Sequence, residues 1–146
     1  MELKIKTFEE LTKQELYEIL RLRSQVFIVE QQGCYLDLDG IDYDSLHIFL
    51  WDGDGRCAAC LRLFPKADEP GTMQLGRIVS RNRCMGYGRR LMEAAERIAR
   101  EQYGAGELYL TGRKSASGFY EKCGYRIDLD APDAKSLPYY RFRRSI

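Results

Sequence analysis

Hydrophobic and polar residues follow strand-like and helix-like periods in well separated stretches of the chain. The letters LKIKTF alternate and predict a first strand at residues 3–8. The next stretch, LTKQELYEILRLRSQVF at 11–27, has apolar residues three and four positions apart, which predicts an amphipathic helix. Thr12 and Glu15 have the spacing of a capping box at its start. The residues at helical intervals are Leu16, Ile19, Leu20, Arg23 and Phe27.

The rest of the chain is predicted to form strands interrupted by two helices. The segment QQGCYLDLDGIDYDS at 31–45 has no usable period and predicts a loop. Helices are predicted for GRRLMEAAERIAREQ at 88–102 and for KSASGFYEKCGY at 114–125, which ends near Gly124. The further strands predicted are LHIFLW, RCAACLRLF, MQLGRIVS, ELYLTG, YRIDL and YYRFRR, the first two joined at DGDG. This order predicts a mixed α+β domain.

The composition limits the classes of partner. The chain has 146 residues, of which 45% are hydrophobic and 31% charged, and this suits a single domain spanning 1–146. The net charge of +1 gives no electrostatic reason to expect nucleic acid or an anionic membrane as a partner. The charged start MELKIKTFEELTKQEL lacks the apolar core of a secretion signal, and no run is long enough to span a membrane. We therefore expect a cytoplasmic protein.

Two of the five cysteines form a CxxC pair, Cys57 and Cys60. The pair lies in a predicted strand, where residues three apart point to opposite faces. A redox CxxC is usually found at a helix N-terminus, and a structural zinc site needs a second similar pair. We therefore expect two buried core cysteines, with a thiol or metal protein as the alternative.

The stretch RCMGYGRRLM, from Arg83 to Met92, joins a predicted strand to a predicted helix through two glycines. A helix start exposes backbone N–H groups and the positive end of the helix dipole. Glycines let a ligand approach the backbone closely, and arginine side chains suit phosphate oxygens. The stretch therefore predicts a phosphate or pyrophosphate site, with an ordinary strand–helix turn as the alternative. It lacks the third glycine of a dinucleotide fingerprint and the lysine of a P-loop.

Residues Arg83–Gly88 match the Arg/Gln-x-x-Gly-x-Gly/Ala signature of the GNAT superfamily of N-acetyltransferases. The letters FYEKCGYR resemble the FYxxxGF element of that family. LYEILRLRSQVFIVEQ, YLDLDGID, His47 and LGRIVS are similar to its ElaA-like subgroup. The resemblance covers nearly the whole chain. It implies a GNAT fold, with a central splayed mixed β-sheet of six to seven strands flanked by helices, and acetyl-CoA-dependent N-acetyltransferase activity.

The resemblance also implies where acetyl-CoA, the co-substrate, binds, and it implies no metal. The pantetheine arm would pair with the strand that ends at Ile78, Val79 and Ser80, and the N–H of Val79 would face the thioester oxygen. The N–H groups between Cys84 and Arg89 would hold the pyrophosphate. The predicted cofactor-binding residues are Ile78, Val79, Ser80, Arg83, Cys84, Met85, Gly86, Tyr87, Gly88, Arg89 and Tyr120.

Acetyl transfer to an amine needs a proton donor for the leaving thiolate and a base for the ammonium. Tyr120 is the predicted donor, and a core aromatic is the structural alternative for this residue. Glu30 and His47 are both candidates for the base, acting directly or through water. We expect direct attack by the amine in a ternary complex, while a relay through Cys84 or Cys123 is the alternative.

The loop 31–45 carries four aspartates and two tyrosines. One interpretation is a solvated acidic turn. The other is an acceptor pocket for a cationic amine, such as a polyamine, an aminoglycoside-like molecule or a lysine side chain. Its predicted residues are Tyr35, Asp39, Asp42 and Arg77.

The chain departs from the ElaA-like pattern at two places. Gly112-Arg113 replaces an Ala-Gln pair, and Tyr139 follows Leu137-Pro138 where a histidine is usual. The acceptor side of the pocket is therefore where this chain is expected to differ.

The predicted function is transfer of an acetyl group to a primary amine of a small molecule or of a lysine-containing acceptor. A module of the same fold that binds acyl-CoA without transferring it is one alternative, and transfer of a longer acyl group is another. A thiol or metal protein built on Cys57 and Cys60 is the third. Because this fold often dimerises, a homodimer is also considered.

Overall fold

The structure is a computed structural model that describes residues 1–130 and 136–146. Three α-helices are described, α1 (Lys13–Arg23), α2 (Tyr87–Tyr103) and α3 (Ser117–Lys122), and a π-helix at Ser24–Glu30 continues α1 directly. Short 3-10 turns lie at Ile41–Asp44 and Lys114–Ala116. The strands are β1 (Glu2–Thr7), β2 (Leu46–Trp51), β3 (Cys57–Pro65), β4 (Thr72–Ser80), β5 (Glu107–Arg113), β6 (Arg126–Ile127) and β7 (Tyr139–Ser145).

The strands form one mixed sheet of seven strands in the order β1-β2-β3-β4-β5-β7-β6. β2 pairs antiparallel with both β1 and β3, and β7 pairs antiparallel with both β5 and β6. β4 and β5 are parallel and pair through Thr72–Leu75 and Glu107–Leu110, so that β4 continues to Ser80 beyond this paired stretch. The predicted α+β class with a mixed sheet is confirmed.

The chain divides into two compact units, and the first contains Met1–Phe64 and Arg77–Ala94. The predicted capping box at the start of α1 is present, because Thr12 and Glu15 exchange side-chain to backbone hydrogen bonds. Lys4 and Lys6 of β1 also bind the Glu15 carboxylate, each at 2.8 Å. Burial alone would raise the pKa of Glu15, but these donors hold it at about 2. The carboxylate thus ties β1 to the start of α1.

A bulge in β3 changes the orientation of the two cysteines in the CxxC pair. Phe49 pairs with Cys60 and Trp51 pairs with Cys57, while Ala58 is the extra residue. Phe49 and Trp51 point to the same face of β2, so Cys57 and Cys60 also share one face. The prediction of opposite faces is therefore wrong, because the bulge shifts the alternation by one residue. The prediction of buried, free core cysteines is confirmed.

The buried core beside these cysteines joins α1 and the π-helix to β2, β3 and β4. Its apolar character explains why the α1 stripe faces inward. The residues of this cluster are Ile19, Leu22, Val26, Phe49, Cys57, Cys60 and Val79.

The second unit contains Pro65–Gly76 and Ala95–Ile146. Tyr120 of α3 is buried there, and its ring centroid lies 5.0 Å from that of Phe142 in β7. Arg143 on the same strand binds both carboxylate oxygens of Glu69, at 2.6 and 3.0 Å. An apolar contact and a charged one therefore anchor this unit around β7.

Some predicted element boundaries differ from the structure. The helix predicted over 11–27 becomes α-helical at Lys13 and changes to a π-helix after Arg23. The strand predicted for YRIDL is limited to Arg126–Ile127. The helix predicted at 114–125 begins with a 3-10 turn, and Gly124 ends it with a φ of 91°.

Candidate active site

The loop 81–86 follows β4 directly and leads into α2. Two of its residues have left-handed backbone conformations, Cys84 with φ 64° and Gly86 with φ 76°. A Cβ added at Gly86 would meet no atom within 4 Å, so backbone conformation and not space requires glycine there. The side chains of residues 81–86 are exposed. The loop thus presents its backbone to solvent in a turned conformation.

The start of α2 leaves backbone donors available beside this loop. The N–H of Arg90 donates to the carbonyl of Gly86 at 3.2 Å, which is the first turn of the helix. The N–H groups of Tyr87, Gly88 and Arg89 precede the helical hydrogen-bond ladder. They carry the positive end of the helix dipole, which favours an anion at this place.

Arginine side chains surround the same helix start. Arg83, Arg89 and Arg90 are exposed, and Arg89 forms a surface pair with Glu93 at 3.1 Å. Arg81 instead fixes the loop, since its N–H donates to Ala58 at 2.8 Å and its guanidinium lies 2.9 Å from Asp52. The predicted pyrophosphate residues therefore fit a phosphorylated ligand in both backbone geometry and charge.

The end of β4 holds the three residues predicted to contact the pantetheine arm. Val79 packs its side chain into the core cluster, while Ile78 and Ser80 are half-buried. Arg77, just before them, has a φ of 50°, an unusual conformation for a residue other than glycine. This conformation is a local irregularity within β4, two residues before the predicted oxyanion donor Val79.

A second cluster of charged residues lies in the first unit around the loop 31–45. Arg23, buried at the end of α1, is 3.0 Å from Asp37 and 2.7 Å from Asp42. Arg62 of β3 donates to both carboxylate oxygens of Asp39, each at 2.7 Å. The aspartates of the loop are therefore held by arginines from two other elements.

These ion pairs shift the pKa values of the aspartates. Hydrogen bonds from Arg62 lower the pKa of Asp39 to about 2. Burial alone would raise the pKa of Asp42, but Arg23 and Arg62 outweigh it and lower that pKa. Both carboxylates are consequently ionised at neutral pH, with their charges directed to the arginines.

Arg77 completes the cluster. Its Nε lies 2.8 Å from a carboxylate oxygen of Asp37, and its Nη2 lies 3.3 Å from Asp39. Its guanidinium also stacks over the ring of Tyr35, 5.3 Å from the centroid. The structure thus brings the four predicted acceptor residues, Tyr35, Asp39, Asp42 and Arg77, into one network.

The two candidate bases have very different surroundings. His47 is only 2% exposed, and its Nε2 donates to the carbonyl of Asp42 at 2.9 Å. Burial lowers the pKa of His47, so the ring is neutral at pH 7. Glu30 is exposed at the last position of the π-helix. Glu30 is therefore accessible to solvent, whereas His47 is held in the interior.

Tyr120, the predicted proton donor, belongs to the second unit. A Cβ at Gly112 would lie 2.4 Å from the ring of Tyr120, so the glycine makes room for this ring. This contact gives the Gly112 departure from the ElaA-like pattern a physical reason. Burial and the neighbouring Cys123 raise the pKa of Tyr120 to about 12. The hydroxyl therefore stays protonated at neutral pH.

Sequence reasoning missed three members of the charged network, Arg23, Arg62 and Asp37. Two of them had a visible signal. Arg23 lies on the apolar stripe of α1, and Arg62 lies inside the apolar strand CAACLRLF. An arginine at a core position needs a buried acid as its partner, and the adjacent loop was rich in aspartates.

The part of the chain that the structure describes contains no group of three or more His, Cys, Asp or Glu residues placed to hold a metal ion. Hydrogen bonding to Cys60, together with burial, raises the pKa of the Cys57 thiol. The buried Cys57 thiol is therefore protonated at neutral pH. Among residues 1–130 and 136–146, no helix combines the length and apolar character needed to cross a membrane.

Comparisons with known proteins show the family of this chain. The profile of the Acetyltransferase (GNAT) family matches residues 13–125. A UPF0039 protein of Schizosaccharomyces pombe is 32% identical, covering 98% of this chain and 96% of that protein. An acyl-CoA N-acyltransferase of Pseudomonas aeruginosa has 32% identity and a TM-score of 0.85, covering 98% of both chains. The crystal structure of Escherichia coli ElaA has 26% identity and a TM-score of 0.86, also covering 98% of both chains. The chain therefore belongs to the GNAT family of acetyltransferases and is ElaA-like.

Proposed function

We propose that this acetyltransferase moves an acetyl group from acetyl-CoA to a primary amine by direct attack in a ternary complex. The observation that carries the proposal is the loop 81–86 with the start of α2, where turned backbone, helix N–H groups and three exposed arginines coincide. The similarity to a P. aeruginosa acyl-CoA N-acyltransferase supports an acyl-CoA as the donor.

The residues at the end of β4 and after it would hold the co-substrate. The backbone of Ile78 to Ser80 would pair with the pantetheine amides as a strand does, and the N–H of Val79 would polarise the thioester carbonyl. The N–H groups from Cys84 to Arg89 would bind the pyrophosphate. Acetyl-CoA itself supplies an acetyl group activated as a thioester.

The remaining steps are proton movements. Tyr120, whose hydroxyl is protonated at neutral pH, would hydrogen-bond the leaving thiolate. Glu30 is the better candidate for the base, since its carboxylate is exposed, while the ring of His47 is buried. Glu30 would accept the proton of the ammonium, directly or through water.

Calorimetric titration with acetyl-CoA tests the cofactor site. Gly86→Ala is expected to weaken binding about tenfold or more, because its φ of 76° is strained for alanine and the amides would move. Gly71→Ala is a matched control, since Gly71 has a φ of 86°, equally open surroundings and a place in another turn. Equal acetyl-CoA affinity of Gly86→Ala and Gly71→Ala would reject the proposed site.

Measurements of turnover distinguish a catalyst from a module that only senses acyl-CoA. Tyr120→Phe is expected to retain acetyl-CoA binding and to lose roughly 10²-fold or more in kcat, the usual range for a lost general acid. Glu30→Gln should lower kcat in the same way. Acetyl-CoA binding without release of free CoA for any amine would instead favour a sensing module. An acetylated Cys84 or Cys123 that turns over, detected by mass spectrometry, would reject direct attack.

A further inference from the structure

Within residues 35–38 of the loop 31–45, Asp37 is turned inward while the neighbouring apolar side chains are exposed. Leu36 is 76% exposed, Leu38 54% and Tyr35 49%, while Asp37 between them is half-buried against two arginines. Single exposed apolar side chains are common on protein surfaces, but three within four residues of one anchored loop are not. We name these three residues, Tyr35, Leu36 and Leu38, the apolar loop surface.

The carboxylates of this loop offer little charge to a ligand. Three arginines, Arg23, Arg62 and Arg77, face three aspartates, Asp37, Asp39 and Asp42, so their formal charges cancel. The neighbouring His47 is neutral because burial lowers its pKa. The fourth aspartate of the loop 31–45, Asp44, is exposed. A polycationic acceptor would therefore have to compete with arginines already in place.

Tyr35 is held from two sides although half of it is exposed. A Cβ at Gly33 would lie 2.6 Å from an edge carbon of the Tyr35 ring, so the ring rests directly on the glycine. The guanidinium of Arg77 lies over the same ring. An exposed aromatic ring fixed by a glycine and an arginine offers a preorganised apolar contact at low entropic cost.

The apolar loop surface is tied to the strand that is predicted to hold the thioester. Arg77, which binds Asp37, Asp39 and Tyr35, lies two residues before Val79 on β4. Both residues belong to the first unit. Arg77 therefore connects Tyr35 of the apolar loop surface to the end of β4.

Resting on the function proposed above, we infer that the acceptor is a primary amine that carries an aromatic or branched apolar group, which the apolar loop surface recognises. Ligand sites that combine apolar walls with a few fixed polar groups favour this chemistry. Apolar contact, and not charge, would then select the acceptor at the proposed site.

Calorimetric titration of the protein saturated with CoA tests this, with 2-phenylethylamine and putrescine as probes. The two amines have a similar reach, but one ends in a ring and the other in a second ammonium group. The wild type is expected to bind 2-phenylethylamine about tenfold more tightly than putrescine. The double variant Leu36→Asn/Leu38→Asn should weaken the binding of 2-phenylethylamine about five- to tenfold and leave that of CoA unchanged. Leu129→Asn, at an equally exposed leucine of the second unit, is the control and should change neither.

Equal or tighter binding of putrescine, no binding of 2-phenylethylamine, or an unchanged preference in the double variant would overturn the inference while the proposed function stands. Failure of CoA itself to bind would reject the proposed function and the inference with it. Light scattering on the same proteins tests whether a second copy of this chain occupies the apolar loop surface instead. A dimer in the wild type that becomes a monomer in the double variant would show a subunit interface and would also overturn the inference.

Discussion

The loop 81–86 before α2 and the loop 31–45 before β2 both contain glycines and both carry proposed binding residues, but different contacts hold them. In the first loop, left-handed residues at Cys84 and Gly86 set the path of the chain, and the side chains stay exposed. In the second, three arginines bind the aspartates across sequence separations of 14 to 40 residues. The first loop therefore follows its own backbone conformation after an anchor at Arg81, whereas the second is held by distant side chains.

This difference separates two kinds of binding site. A site made of backbone N–H groups needs only a short stretch of glycines and a helix start, so its chemistry is written in a local motif. A surface held by ion pairs depends on which strands and helices pack together. Mutations in the network that holds the loop 31–45 should therefore mainly change folding stability. Mutations beside the loop 81–86 should mainly change ligand binding.

The largest expected effect is that of Arg23→Met on stability. The buried Asp42 would lose a donor at 2.7 Å, and the free energy of unfolding should fall by about 3–5 kcal/mol. Urea denaturation measures this loss. Arg21→Met, on the exposed side of the same helix, is the control and should cost about 1 kcal/mol or less. A loss for Arg23→Met that equals the loss for Arg21→Met would contradict a structural role of the buried network.

A smaller effect is expected from Gly33→Ala. The new Cβ would lie 2.6 Å from the carbonyl of Phe27 and from the ring of Tyr35, which should cost about 1–3 kcal/mol. Gly40→Ala in the same loop has open surroundings, so only its φ of 86° opposes the change. Near-ultraviolet circular dichroism should change for Gly33→Ala because Tyr35 must move. An unchanged spectrum would mean that the ring does not rest on the glycine.

The free energy of unfolding should also depend on pH through the aspartates of the loop 31–45. The folded-state pKa of Asp39 is lowered to about 2, and that of Asp42 is also lowered. Their stabilisation is therefore complete above the unfolded pKa of about 4 and is lost as pH falls from there towards 2. Urea denaturation at pH 7, 5 and 3 should show the free energy of unfolding falling below pH 5. Asp39→Asn should reduce this slope, whereas a slope equal to that of the wild type would contradict the assignment.

The smallest stability effect is expected for Arg89→Gln at the start of α2. The ion pair between Arg89 and Glu93 is exposed, so its loss should change the free energy of unfolding by about 0.5 kcal/mol or less. The acetyl-CoA affinity of the Arg89→Gln variant should nevertheless fall severalfold, and the fall should be larger at low salt than at high salt. Arg97→Gln, on the exposed surface of the same helix, is the matched control. Equal acetyl-CoA affinity in the two variants would remove Arg89 from the proposed pyrophosphate site.

The amino-acid sequence by itself determined the element order, the capping box at Thr12 and Glu15, and the glycine turn before α2. These features arise from contacts within a few residues, so periodicity and turn chemistry are enough to predict them. The same holds for the resemblance to GNAT acetyltransferases, whose signature at Arg83–Gly88 is a local motif.

Only the tertiary structure decided which residues meet across the sheet. The bulge at Ala58 brought Cys57 and Cys60 onto one face, against the alternation expected from the strand. Packing of α1 and β3 beside the loop 31–45 turned an apparently acidic turn into a network of paired charges. Register and packing join residues that are far apart in sequence, and an extra residue or a buried arginine changes them without altering the local pattern.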